Sequence, residues 1–383
     1  MSSPFEVETV ADPSVIAKEW RQLERTGVGT VFQRYDWVEA YVKAVLRHKD
    51  AQPAIVLGRL YGQPAFVLPL AISRYGPVRF AHWIGGKHSG YNFGLWSIEA
   101  AAAMAHLDRK QVEGLLRAAL DGADCLFLGN TLSVQDGIPQ PLGSLTDGVS
   151  STKGYSFGLS GGFPAVLART NGKGRRRKID AKQRRMQRIG ATRYATIRDP
   201  DQALAALDFF FEQKTERLAV QHQPNSFAEP GVKDFFRDLL IRSHNSQEPL
   251  LEMAELTVAG SRRAVLGSGL NRGRVNVYFT AFAQDEVADH SPGLVLSFRH
   301  IEESCLRGME SYDLGIGYER YKSSWCDIEH EMRDAYAAFT PAGTAAVAAM
   351  RFGQMTKSGL RRNTLLWRYL KSAQSLLPRP VSR

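Results

Sequence analysis

What most constrains this chain is that its second half replays the order of its first. An apolar run over residues 54–60 meets a turn-like Tyr61-Gly62-Gln63-Pro64, and a second run follows over 65–72. After Gly76-Pro77 come a third run, 78–84, a glycine-rich loop holding His88-Ser89-Gly90, a helical pattern over 109–120 and a short run at 125–128. The later series has a strand pattern at 251–258, a turn at Ala259-Gly260-Ser261-Arg262 and a hairpin partner at 264–270. It continues with an alternating run at 275–282, a loop with His290-Ser291-Pro292-Gly293, a helix at 296–309 and a closing strand at 312–316. The turns are offset by 198 positions, the His-Ser pairs by 202 and the closing strands by 187, a drift that loop lengths absorb. Self-similarity at a long period signals a repeated supersecondary unit.

Each copy reads strand, strand, strand, loop, helix, strand. Hairpins give antiparallel pairing, and a return through a helix gives a parallel crossover. The expected fold class is therefore α/β (α+β): two tandem units, each a mostly antiparallel mixed sheet flanked by helices. The expected boundaries are an N-terminal unit over 1–165, a C-terminal unit over 166–345 and a basic helical tail over 346–383. Between the copies, Asp199-Pro200 supplies an N-cap and a first-turn proline. Leu204, Leu207, Phe211 and Leu218 then form a core-facing stripe, and a second helix over 230–242 presents Val232, Phe235, Phe236 and Leu239.

The net charge of +10 is confined to two segments. Positions 173–193 hold ten Lys/Arg against Asp180 alone, and positions 351–383 hold eight with no acid, so the remainder is acidic. An anionic partner should meet those segments first. In the first, Ile179, Met186 and Ile189 share one helical side, while Arg177 and its neighbours offer guanidinium groups suited to phosphate oxygens. It has no aromatic residue for base stacking, which weighs against nucleic acid. A solvated helix, a phosphate-bearing small molecule and an acidic carrier protein stay open as its use. In the second, Leu366, Trp367, Tyr369, Leu370, Ala373, Leu376 and Leu377 lie among Arg361, Arg362, Arg368 and Lys371. Such a helix docks on its own domain or rests peripherally on an anionic membrane surface. No apolar stretch approaches the roughly 18 residues of a membrane span. The first residues carry no secretory pattern, and the three cysteines have no Cys-x-x-Cys spacing. The expected compartment is the cytoplasm, with the inner membrane as the surface the tail could touch.

The loop at 289–296 follows a strand and opens a helix. Backbone N–H groups there lack internal partners and carry partial positive charge, which suits a phosphate or pyrophosphate. Pro292 and Gly293 permit a tight turn and a close approach. Many strand-to-helix turns of this composition bind nothing.

Four stretches together resemble the GNAT superfamily. They are Phe32-Gln33-Arg34-Tyr35-Asp36-Trp37, the segment 209–227, Ser291-Pro292-Gly293-Leu294-Val295-Leu296, and Tyr312-Asp313-Leu314-Gly315-Ile316-Gly317-Tyr318-Glu319-Arg320-Tyr321-Lys322-Ser323-Ser324-Trp325. The likeness is greatest to the double-domain branch of bacterial cellulose-biosynthesis acetyltransferases (CelD/BcsL), akin to the FemABX aminoacyl transferases. It spans about 32–340, and the Asp-x-Gly-x-Gly followed by Tyr-Lys is its most specific part. The common GNAT phosphate loop, Gln/Arg-x-x-Gly-x-Gly/Ala, is absent. The resemblance implies acyl-CoA (acetyl-CoA) as co-substrate on the strand-loop-helix junction, with Ser291, Gly293, Leu294 and Val295 as its contacts. An acyl carrier protein or an aminoacyl-tRNA would be the other donors. Splayed N–H groups on the strand at 275–282 would polarise the thioester carbonyl.

Expected roles follow from what acyl transfer needs: an aligned acceptor, a polarised carbonyl and one managed proton. Asp313 orients or deprotonates the acceptor, or caps local backbone. Lys322 clamps a phosphate or acceptor carboxylate, or is a solvated lysine. Tyr321 and Tyr318 donate to the departing thiolate, or pack. His290 and Arg177 contact substrate, His290 having a structural reading beside it, and Trp325 lies at or beneath the substrate loop. The expected function is acyl transfer to an amine or hydroxyl, such as a sugar or surface-polysaccharide precursor in cellulose, exopolysaccharide or cell-envelope biosynthesis. The rival is a nucleic-acid or polyanion binding protein built on 173–193. A metal site is not expected: His330-Glu331-Met332-Arg333-Asp334 lacks the second zinc-protease histidine, and His300-Ile301-Glu302 has no Pro-Cys-x-x-Cys partner. Cys305 and Cys326 read as small packing residues.

Overall fold

Tyr61-Gly62 and Ala259-Gly260 adopt the same turn. All four residues have positive φ (52° and 75°, 52° and 77°), which matches the right-handed twist of the flanking strands. The rest of the two series unfolds around these turns in a computed structural model that describes residues 3–169, 172–319 and 321–362. The first series runs β1 (Phe5–Val10), α1 (Ala17–Thr26), α2 (Tyr35–Ala44), β2 (Ala51–Leu60), β3 (Gln63–Tyr75) and β4 (Val78–Trp83). It continues with a short β5 (Leu95–Trp96), α3 (Ile98–Ala105), α4 (Arg109–Ala119) and β6 (Cys125–Leu132). A small hairpin, β7 (Val134–Gln135) and β8 (Ile138–Pro139), leads to β9 (Thr146–Gly158), α5 (Gly162–Ala168) and α6 (Gly172–Ile189). The second series is β10 (Thr192–Thr196), α7 (Pro200–Val220), α8 (Val232–Ser243), β11 (Glu252–Val258), β12 (Ser261–Asn271) and β13 (Arg274–Phe282). It closes with α9 (Pro292–Leu306), β14 (Ser311–Ile316), β15 (Ile328–Ala338) and α10 (Pro341–Arg362).

The principal strands form one sheet in the order β1-β2-β3-β4-β6-β15-β9-β14-β13-β12-β11-β10. Read inward from either edge, the order is the same, so the two copies are related by an approximate two-fold. Two pairs are parallel, β4 with β6 and β13 with β14, as helical crossovers dictate; the other pairs are antiparallel. The centre is an exchange. β9 follows the first copy in sequence yet pairs with β14 of the second, while β15 follows the second copy and pairs with β6 of the first. β9 and β15 also pair with each other, so the copies share backbone hydrogen bonds across the middle of the sheet.

In the second copy, alternation sorts side chains to two faces. Met253, Val265, Phe279 and Ala281 join the core under α7 and α8. Ala254, Leu256, Ala264, Leu266, Leu270 and Val275 join a separate core with residues of α5, α6 and α9. The Asp199 carboxylate caps α7 by accepting from Gln202 N (2.8 Å), as its sequence predicts. On α6, Ile179 and Met186 are buried, but Ile189 is 40% exposed because the helix ends there. Helices α2 and α8 meet across the approximate two-fold, with the Trp37 and Phe235 ring centroids 5.1 Å apart and Arg242 paired to Glu39 at 2.5 Å. The apolar positions expected in the tail, 366–377, and Arg320 of the Tyr-Lys run lie outside the described residues. Among the described residues no helix is long and apolar enough to cross a membrane.

Candidate active site

Strands β13 and β14 pair over three residues, Arg274 with Ser311 through Asn276 with Asp313, and then part. Where they part, β13 also bulges: Val277 faces Ser268 of β12 and Phe279 faces Gly267, so Tyr278 is the extra residue. The bulge breaks the alternation, and the consecutive Tyr278 and Phe279 both pack on the α7–α8 side. Glycines on β12 make this possible. A Cβ at Gly269 would stand 2.7 Å from Tyr278 Cζ, and one at Gly267 would stand 3.0 Å from Phe279 Cε1. The parting opens a cavity of about 260 Å³, walled by β13, β14 and α7, with Phe32, His88 and Tyr91 contributed by the first copy.

The corresponding place in the first copy is filled by the chain itself. Beyond the pairing of β4 with β6, Asn92 bridges to Thr131, donating its N–H to Asn130 O (2.9 Å) and accepting from Leu132 N (2.9 Å). Its side chain donates to Gly129 O (3.1 Å) and accepts from Ser89 Oγ (2.9 Å).

Asp313, the last residue of β14 paired with β13, is 3% exposed at the cavity wall. Its Oδ1 accepts from Gly315 N (2.7 Å) and from the Tyr91 hydroxyl (2.9 Å), so the carboxylate both holds local backbone and faces the cavity. Burial pushes its pKa up, against the opposing pull of His330 and these two donors. Tyr91 reaches it over Gly154 of β9, where a Cβ would lie 2.7 Å from Tyr91 Cζ. Lys322 opens a single 3-10 turn, Lys322–Ser324, and is 4% exposed. It donates to Ile316 O (2.9 Å) and Gly315 O (3.4 Å), holding the end of β14, and burial pulls its ammonium pKa down. The Tyr321 ring also lines the cavity, and burial raises its phenol pKa, which keeps it a donor.

The other expected residues stand elsewhere. Tyr318 is 71% exposed and outside the cavity lining, its ring centroid 6.4 Å from that of Tyr155. Trp325 is buried beneath the loop, stacked on Phe157 (5.7 Å) with the Arg175 guanidinium 3.9 Å over its ring, so its surface is used in packing. Ser291 takes a left-handed conformation (φ 54°) at the start of α9, and its hydroxyl meets Lys182 Nζ of α6 at 2.9 Å. The N–H groups of Leu294 and Val295 turn back to Ser291 O (3.0 and 3.3 Å) and Pro292 has none, which leaves the Gly293 amide as the outward donor of that turn. The Leu294 side chain is half exposed, while that of Val295 is fully buried. His290 is half-buried in a turn, its Nδ1 without a hydrogen-bond partner among the described residues. Arg177 is exposed on α6.

These donor-side residues share the α6–α9 face, whereas the cavity opens under α7 and α8. Among the described residues no cluster of three His, Cys, Asp or Glu could hold a metal ion. Burial pushes the Cys326 thiol up to about 12, away from the nucleophilic thiolate. Sequence reasoning missed Tyr91, Gly154, Tyr278, Lys214 and Arg217. The available signals were the loop around His88, the small-residue run Gly267-Ser268-Gly269, and the place of Lys214 and Arg217 within the segment 209–227.

Residues 173–323 match the acetyltransferase (GNAT) domain family. Three solved structures share the fold along most of the chain. A conserved protein of unknown function from Bacteroides thetaiotaomicron superposes with a TM-score of 0.52 at 13% identity, over 86% of this chain and 99% of that one. FemX gives 0.54 at 10%, over 85% and 96%. The C-terminal domain of a putative lysylphosphatidylglycerol synthetase from Agrobacterium fabrum gives 0.53 at 12%, over 88% and 95%. At such identities the likeness is one of fold. No curated protein matches the sequence. The chain is thus a mixed α/β protein built from two copies of one unit, the second of which matches the GNAT domain over residues 173–323.

Proposed function

We propose that the protein transfers an acyl group from acyl-CoA, acetyl-CoA among them, to an amine or hydroxyl acceptor held in the cavity between the copies. The observation that carries this reading is the parting of β13 and β14 beside a bulge, with a buried carboxylate at its apex. Bound acyl-CoA would supply an already activated thioester. The residues present fit it: the Gly293 amide, Ser291 and Lys182 gather at the start of α9, with His290 in the turn before it and Leu294 in its first turn, while Arg177 lies further along α6. Such a turn favours phosphate through oriented N–H groups and nearby cations.

The chain's own groups divide the chemistry. The bulged Tyr278 has no partner residue on β12, and β14 has already turned away, which supports its amide as the group that would polarise a carbonyl entering the gap. Asp313 takes the acceptor's proton, and its raised pKa makes it a stronger base than an exposed aspartate. Tyr321 donates a hydrogen bond to the departing sulfur, and Lys322 fixes the strand end that carries Asp313. The resemblance to the cellulose-biosynthesis branch supports a cytoplasmic enzyme acting on a sugar or surface-polysaccharide precursor, with Tyr318 and Trp325 outside the cavity that would hold it. The basic face of α6 supports the carrier-protein or polyanion reading as the second choice. Arg177, Lys178, Arg184 and Arg185 make no ion pair among the described residues.

A melting series with acetyl- through palmitoyl-CoA tests the reading. The expected result is a rise in Tm with at least one acyl-CoA, from binding to the folded state alone. Asp313→Asn should keep that rise and lose turnover. Absence of any rise across the series overturns the acyl-CoA reading. Loss of function with intact acyl-CoA binding after neutralising Lys178, Arg184 and Arg185, with Lys182 kept, would instead favour an acidic carrier.

A further inference from the structure

Lys214 and Arg217 sit three residues apart on α7, one above the other, and both line the cavity. Nearby cations on neighbouring elements have carboxylate partners. Lys233 and Arg237 share Asp208, and Lys49 and Lys87 share Glu229. Among the described residues Lys214 and Arg217 make no ion pair, and the recorded neighbour of Lys214 is the Phe227 ring, 5.6 Å away. Lys214 is half-buried; burial and the charge of Arg217 work against its ammonium, and the Glu319 carboxylate only partly offsets them. Half-buried Lys214 and its exposed neighbour Arg217 thus present two adjacent positive charges at the cavity, and an anion entering it can join both.

The acids of the cavity do not fill that role. Asp313 already accepts two hydrogen bonds, and Glu319 is exposed at the rim. With Lys87 and Lys322 the lining carries four Lys/Arg side chains against those two carboxyls. The donor's phosphates do not account for the pair either. The α9 turn and α6 belong to the opposite face of the second copy's sheet, and α7 packs with the core on this face.

We propose that the acceptor is an anion, with a phosphate or carboxylate group bound by Lys214 and Arg217 and its nucleophilic amine or hydroxyl turned toward Asp313. Phe227, Phe236 and Phe279 give the molecule an apolar wall between the two ends. The word acceptor rests on the acyl-transfer reading; the anion site itself does not.

The test uses the full chain, Tm measurements, and three probes: inorganic pyrophosphate, glucuronate and uncharged glucose, each at matched ionic strength with sodium chloride as control. The expected result is a Tm rise with one of the anions and none with glucose. Pyrophosphate would name a phosphorylated acceptor, glucuronate a carboxylated one. Lys214→Gln with Arg217→Gln should weaken the anion at least about tenfold, the loss of roughly one charge-assisted hydrogen bond. The same double variant should keep the response to acetyl-CoA, which shows it folded. The proposal is overturned if neither anion exceeds sodium chloride, or if the rise survives in the double variant. A wild-type protein that answers pyrophosphate but no acyl-CoA would keep the anion site and lose the acyl-transfer reading.

Discussion

The Tyr91 hydroxyl donates to Oδ1 of Asp313 across 2.9 Å, although 222 positions separate the two in sequence. The copy whose own strand gap is closed thus lends a side chain to the copy whose gap is open. That donation favours the ionised carboxylate while burial opposes it. Tyr91→Phe removes the donor, so the Asp313 pKa should rise further. The acidic limb of kcat/KM should move to higher pH and kcat should drop about tenfold, a loss near one hydrogen bond to a charged group. An unmoved limb would show that Asp313 is not the base.

Gly154 on β9 is the passage that lets the Tyr91 ring reach its partner, because a Cβ there would lie 2.7 Å from Tyr91 Cζ. Gly154→Ala should displace the ring, cost about 1–3 kcal/mol of stability through overpacking, and reproduce the Tyr91→Phe shift in pH profile. In Gly154→Ala/Tyr91→Phe the activity losses should not add, since both remove one contact. Additive losses would place the effect of Gly154 elsewhere.

Asp313→Asn keeps an oxygen to accept from Gly315 and Tyr91 while removing the charge. With its folded pKa raised, Asp313 contributes stability that is full below its unfolded pKa and lost as pH rises through the folded value. The variant should therefore melt no lower than the wild type at neutral pH, with any gain vanishing in acid. Turnover should fall about 10²–10⁴-fold, the range for loss of a general base. Melting curves at both pH values, beside acyl-transfer rates, check the two halves of the claim.

His300 on α9 is 1% exposed, bonded through Nδ1 to the Tyr312 hydroxyl at 2.7 Å, and burial lowers its pKa to about 4. A depressed histidine gives stability that is full above its unfolded pKa and lost as pH falls toward the folded one. Between pH 6.5 and 4 the protein should lose about 3 kcal/mol on this account. His300→Asn should be weaker at pH 7 yet show a flatter decline, read from urea midpoints at several pH values. A parallel decline in both proteins would assign the acid sensitivity to other groups.

Much of the fold could be read from local pattern. The twin turns at 61 and 259, the alternation at 275–282 and the Asp199-Pro200 start each depend on residues within a few positions of one another. The central strands escaped because they are polar. β9 reads Thr-Asp-Gly-Val-Ser-Ser-Thr-Lys and β15 begins Ile-Glu-His-Glu, with most of these β15 side chains exposed or half-exposed. The buried residues of these strands, such as Phe157, Met332 and Tyr336, come only after these polar openings, which carry no apolar signature and are defined by their partners in the exchange. The Asp-x-Gly-x-Gly and Tyr-Lys run was visible as a motif, and Asp313, Tyr321 and Lys322 do meet at one cavity. Trp325, from the same run, is taken up by Phe157 and Arg175, contacts that no spacing announces.

By itself the sequence determined the period, the order of strands and helices in each copy, and which short segments carry unusual chemistry, because those follow from turn residues and near-neighbour geometry. Only the tertiary structure decided that β9 and β15 cross over, that the first copy closes its gap with Asn92, and that Tyr91, Asp313, Lys214 and Arg217 surround one space. Those outcomes depend on packing between residues far apart in the chain, where the pairing of one strand or the absence of one Cβ settles what can approach what.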